Sequence, residues 1–113
     1  MITNKLFGNK GEDTACKYLK SKGYEIICRN YRSAFGEIDI ICSYKNITIF
    51  VEVKNRSSET FGKGYEAVNI KKQSKIIKTA QVYTTENNID NICRFDIISI
   101  DSNNISHIEN AFY

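Results

Sequence analysis

The chain has 113 residues, 42% hydrophobic and 26% charged, with a formal net charge of +3. That is one domain's worth of chain, apolar enough to hold a core without staples and too balanced in charge for disorder. No apolar run approaches the roughly 20 residues of a membrane span, and the first eight residues lack a secretory apolar core, so a cytoplasmic protein is expected.

Ile (18), Asn (12) and Lys (12) dominate the composition and proline is absent. These residues have AT-rich codons, so codon bias discounts the positive charge as a sign of an anionic partner. Cys16, Cys28, Cys42 and Cys93 form no Cys-x-x-Cys pair, and the single histidine, His107, is distant. A zinc centre and a histidine-based nucleophilic catalyst are both disfavoured, and buried free cysteines are expected.

Residues 5–22 read as a helix ended by Gly23, with Ala15, Cys16 and Leu19 as its apolar stripe. One turn back that stripe meets Glu12. The carboxylate either complements the helix dipole at the rim or faces a site, and the helix alone leaves both open. Residues 24–32 suit a first strand, followed by a turn at Ser33-Ala34-Phe35-Gly36. Residues 37–42 and 47–54 are two further strands rich in β-branched side chains, joined by a tight turn at Ser43-Tyr44-Lys45-Asn46. A glycine-containing loop at 57–64 leads to a long helix over 65–86. Its inner stripe is expected at Ile70, Gln73, Ile77 and Ala80, with Ile76 beside it, and Lys71, Lys75 and Lys78 form a basic row. A fourth strand covers 93–100, and a short fifth is expected near 104–108. The order α-β-β-β-α-β predicts an α/β fold, helices on a mixed sheet in one domain over residues 1–113.

A two-residue turn at Lys45-Asn46 makes opposed positions sum to 91, which sets Asp39 across from Glu52 and Glu37 across from Lys54. Alternation puts these four on one face and Ile38, Ile40, Val51 and Val53 on the other. Two opposed carboxylates are unfavourable unless a proton or a divalent cation sits between them. Carboxylates holding Mg²⁺ or Mn²⁺ beside a lysine suit phosphodiester hydrolysis, which needs no histidine. Glu37 is equally readable as an ion-pair partner of Lys54, and Arg94 with Asp96 as a salt bridge at the sheet edge. Gly62-Lys63-Gly64-Tyr65-Glu66-Ala67 fits a dinucleotide-binding spacing, but it follows no strand directly and the chain is short.

Gly36-Glu37-Ile38-Asp39-Ile40-Ile41, followed by Phe50-Val51-Glu52-Val53-Lys54-Asn55-Arg56, resembles the PD-(D/E)XK nuclease superfamily. Over nearly the whole chain the sequence is similar to the bacterial UPF0102 (YraN-like) family, related to archaeal Holliday junction resolvases. Gly11-Glu12, Gly23-Tyr24, Arg29-Asn30-Tyr31-Arg32, Phe61-Gly62, Ala67-Val68, Lys72-Gln73 and Arg94-Phe95-Asp96 carry the rest of the likeness. Ile38 stands where the superfamily name has proline. The resemblance implies a restriction-endonuclease-like core and a metal-dependent endonuclease acting on DNA, branched or junction DNA included. It implies Asp39, Glu52 and Glu12 as ligands to Mg²⁺ or Mn²⁺, Lys54 as the catalytic lysine, and Gln73 with Lys72 as auxiliary residues beside Glu37.

Phosphate contacts are expected from Lys63, Lys71, Lys72, Lys75 and Arg56. Cutting both strands of a junction calls for a two-fold homodimer, although no dimer surface is legible. The rival reading is a non-catalytic nucleic-acid-binding module on the same fold. Such a module needs basic residues, not the four-residue set Glu12, Asp39, Glu52 and Lys54.

Overall fold

The computed structural model describes residues 10–56 and 69–113. Its elements run α1 (Lys10–Ser21), β1 (Glu25–Arg32), β2 (Glu37–Tyr44), β3 (Ile47–Arg56), α2 (Ile70–Glu86), β4 (Ile92–Asp101) and β5 (Asn104–Ile108). Gly23 takes φ of +92°, the left-handed conformation that ends α1 without strain on a Cβ. Lys45 and Asn46 both have positive φ, 49° and 65°, which is the backbone of a two-residue hairpin turn. The β2–β3 register that follows is the one expected, from Tyr44 opposite Ile47 to Ile40 opposite Val51.

The five strands form one sheet in the order β1-β2-β3-β4-β5. Neighbours are antiparallel except β3 and β4, which run parallel over all ten residues of each and are joined through α2. β1 carries a bulge between Ile26 and Cys28, and Asn30 has φ of +56°.

Alternation along the strands builds two cores. Ala15, Cys16 and Leu19 of α1 pack on Ile40, Cys42, Ile49, Val51, Ile98 and Ile100. Ile76, Ala80 and Tyr83 of α2 pack on Ile41, Phe50, Phe95 and Ile97 on the opposite face. Each large aliphatic buried here contributes about 1.5–3 kcal/mol. No described helix is long and apolar enough to cross a membrane.

Three expectations need correcting. The inner stripe of α2 is Ile76, Thr79, Ala80 and Tyr83, whereas Ile70 is 76% exposed. The helix is rotated because Tyr83 packs edge-on against Phe50 and Tyr31, and Thr79 meets Ser33. Ile38 joins the α2-side core rather than the face of Ile40, so the alternation of β2 breaks around Asp39. Among the cysteines, Cys93 is exposed; Cys16 and Cys42 are buried as expected. The glycine-rich spacing at 62–67 lies outside the described residues.

Candidate active site

Regular β2–β3 pairing stops at Ile40 and Val51. One step further, Val53 turns its backbone N–H toward β2, and Asp39 Oδ2 accepts it at 2.8 Å. A carboxylate has taken a donor that a continued ladder would have used. Asp39 is therefore anchored to the backbone one residue beyond Glu52, not paired face to face with it. Glu37 likewise does not pair with Lys54. It lies opposite Arg32 on β1, with Arg32 Nη2 3.7 Å from its Oε2.

Glu52 projects to the α2 side and is only 5% exposed. Lys72, in the first turn of α2, closes over it with Nζ 2.6 Å from Oε2. The helix start that presents Lys72 is fixed by Asn69, whose side chain accepts the Lys72 backbone N–H at 2.8 Å. Burial, and next the charge of Asp39, push the Glu52 carboxyl up to about 7 against the pull of Lys72 and Lys54. Burial works against the Lys72 ammonium, but the hydrogen bond to Glu52 raises its pKa on balance. Lys54 moves the other way: burial and the neighbouring Lys72 lower its pKa.

Glu12 approaches from the α1 side. Gly11 before it is buried so tightly that a Cβ there would sit 3.1 Å from the Cβ of Asn55, so the helix start lies directly on β3. Burial and the charge of Asp39 raise the Glu12 pKa, while Arg29 and Asn30 oppose them. Arg29 Nη2 stands 3.5 Å from Glu12 Oε1, and its Nη1 makes the shorter 2.8 Å contact with Asp13. Glu12 Oε1 is buried and has no hydrogen-bond partner. Asp39 is thus the charge sensed by both Glu12 and Glu52, one from each side of the sheet. Among the described residues, no three His, Cys, Asp or Glu side chains converge closely enough to hold a metal ion on their own.

This carboxylate and lysine set occupies the part of the chain that known proteins share. A profile of the uncharacterised protein family UPF0102 matches residues 11–100. The chain belongs to UPF0102. It is 49% identical over 102 residues to a UPF0102 protein of Sulfurihydrogenibium sp., covering 89% of each chain. It is 50% identical over 106 residues to one from Persephonella marina, covering 93% of this chain and 91% of that one. A Clostridioides difficile UPF0102 protein is 46% identical over 114 residues, covering 98% of this chain and 100% of its own.

In this UPF0102 chain the other expected residues divide. Lys71 and Lys75 are exposed on α2, and Gln73 is half-buried beside Lys72. Lys63 and the side chain of Arg56 lie outside the described residues. Arg94 and Asp96 do form an ion pair, at 2.8 Å, but not at an edge: β4 is interior and Asp96 is fully buried. Asp96 also takes His107 Nε2 at 2.7 Å and the Asn110 backbone N–H at 3.0 Å. Tyr18 Oη meets His107 Nδ1 at 3.1 Å, and Arg94 donates to Tyr24 Oη at 2.9 Å. Burial opposes ionisation of Asp96, but His107, Arg94 and Asn110 together hold its pKa below the usual range. The network faces the α1 side, is satisfied at each member, and ties β4 and β5 to α1. Its one legible signal was an acidic residue inside the apolar run Phe95-Asp96-Ile97-Ile98, which demands partners.

Proposed function

We propose that this UPF0102 protein is a metal-dependent endonuclease that hydrolyses phosphodiester bonds of DNA. The observation that carries the proposal is the buried carboxylate Glu52, set beside Asp39 where regular β2–β3 pairing ends and flanked by Lys54 and Lys72. Buried charge of this kind is costly to keep and adds nothing to a core, so it points to chemistry.

The donor set suits a hard divalent cation: carboxylate oxygens only, one of them, Glu12 Oε1, buried without a hydrogen-bond partner. Asp39 and Glu52 would hold Mg²⁺ or Mn²⁺, with water filling the rest of its shell; Glu12, which faces Asp39 from the other side of the sheet, would become a third ligand only by swinging away from Arg29. Such an ion, when bound, polarises a phosphate and lowers the pKa of an attacking water. The chain's own groups do the rest. Val53 N–H fixes the Asp39 carboxylate in position. Lys54, its proton loosened by burial and by Lys72, orients the water and meets charge developing on the phosphate. Lys72 neutralises Glu52 in the absence of metal and is then available to a phosphate oxygen. Lys71 and Lys75 supply exposed positive charge along the same helix for the flanking backbone.

The Lys72–Glu52 pair also favours one rival, a nucleic-acid-binding module whose carboxylate is neutralised by lysine and binds no metal. A cleavage assay with Mg²⁺ or Mn²⁺ on duplex, single-stranded and branched DNA, with RNA alongside, separates the two. Asp39→Asn and Glu52→Gln should each remove cleavage while the protein stays folded. Undiminished cleavage by either variant would overturn the assignment.

A further inference from the structure

Phe35 stands at the tip of the β1–β2 turn with 48% of its surface exposed. The turn that carries it is held firmly. Ser33 N–H donates to Gly36 O at 2.9 Å, and Phe35 N–H donates to Ser33 Oγ at 3.0 Å. Ser33 Oγ in turn bonds Oγ1 of the buried Thr79 at 2.8 Å. Gly36 lies so close to α2 that a Cβ there would meet the Lys75 Cβ at 3.3 Å. The ring is therefore presented to solvent by a pinned turn docked on a helix.

Three cations stand around it, although Glu86 and Val82 line the same shallow cavity and Arg32 is shared with Glu37. Lys78 Nζ lies 5.7 Å from the ring centroid, Lys75 packs beside the turn, and Arg32 precedes it with its side chain 71% exposed. An apolar protein partner gains little from such a collar. A nucleotide matches both parts, because each base offers a π-face and each phosphate a negative charge. Phe35 stands four residues before Asp39, at most about 14 Å of extended chain, which is a step of one or two nucleotides from the candidate site.

We propose that Phe35 is a stacking platform for an unpaired nucleobase lying one or two nucleotides from the phosphate at Asp39 and Glu52. The proposal rests on the nuclease reading above and adds a substrate feature to it. A base inside a duplex already has both faces covered, so the platform selects single-stranded, flapped or gapped nucleic acid near the cut.

The chain contains no tryptophan, so Phe35→Trp places a single indole reporter at the platform. Binding is read in EDTA, without cleavage, from indole fluorescence and from anisotropy of a labelled oligothymidylate, with a blunt duplex alongside. The single strand should quench the indole, and Phe35→Trp should bind at least as well as the parent. Phe35→Leu keeps an apolar side chain on the same turn but loses the ring. It should weaken single-strand binding about tenfold and leave duplex binding unchanged. Equal single-strand binding by the parent and Phe35→Leu would overturn the stacking proposal alone and leave the nuclease reading standing. Equal quenching by the blunt duplex would overturn it too, as would an emission shift driven by protein concentration alone, the mark of a second copy covering the ring. If the parent bound no nucleic acid at all, both readings would fall.

Discussion

The pH dependence of stability without metal tests the burial of Glu52 directly. Its carboxyl is raised from 4.5 to about 7, so between those values the native state holds a proton that the unfolded chain has released. Stability from this group is fully present below pH 4.5 and is lost as pH rises through about 7. A shift of that size corresponds to roughly 3 kcal/mol, or about 10 °C in Tm for a chain of this length. Glu12, also raised, adds a smaller slope of the same sign. Asp96 is shifted the other way, so its contribution is lost only as pH falls through the acid range and stays outside the window. Thermal melts from pH 5 to 8 should therefore show the metal-free parent losing stability toward pH 8. Mg²⁺ or Mn²⁺ should restore much of the loss, because the cation binds only the folded, ionised site. Glu52→Gln should flatten most of the slope and abolish the metal's effect. A parent that melts at one temperature across the window, or a Glu52→Gln variant with the parent's slope and the parent's response to metal, would refute the reasoning.

Lys72 competes with a cation for Glu52 Oε2, so Lys72→Met should tighten Mn²⁺ binding roughly fivefold by calorimetry while slowing cleavage. Replacing both Lys71 and Lys75 by Gln should lower the slope of log affinity against log salt by about 2, with little change in sequence preference. Asp96→Ala removes the buried anion that Arg94 and His107 share, leaving them only their neutral tyrosine contacts in the interior, and should cost about 3 kcal/mol in urea melts, well above any surface substitution.

The sheet was legible where local chemistry decides it. Lys45 and Asn46 can both adopt positive φ, and the tight turn they make set the β2–β3 register from the residue types alone. Legibility ended at Asp39, because alternation assumes that backbone pairs with backbone, whereas a side chain took the Val53 N–H. The stripe of α2 escapes the pattern for a similar reason: Thr79 is polar but bonds Ser33, and Tyr83 brings its ring inward, so a count of aliphatics points one face away. Family resemblance marks Lys72 as an auxiliary residue, but its pairing with Glu52 is not legible, since nothing in its own segment says that Glu52, twenty residues earlier, lies within reach. The Asp96 network joins Tyr18, Tyr24, Arg94 and His107 across most of the chain, and a periodicity argument does not span that distance.

The two outer strands give the sheet a further property. Among the described residues, β1 and β5 each leave one row of backbone donors and acceptors without a neighbouring strand. Such a row is a template on which another chain could crystallise into fibrils. On β1 the template is spoiled twice within one strand, by the bulge around Ile27 and by the reversed twist of Asn30. β5 is only five residues long, too short to nucleate much pairing. Copies of this protein are thereby discouraged from joining edge to edge, even though its strands are rich in isoleucine and it contains no proline to interrupt them.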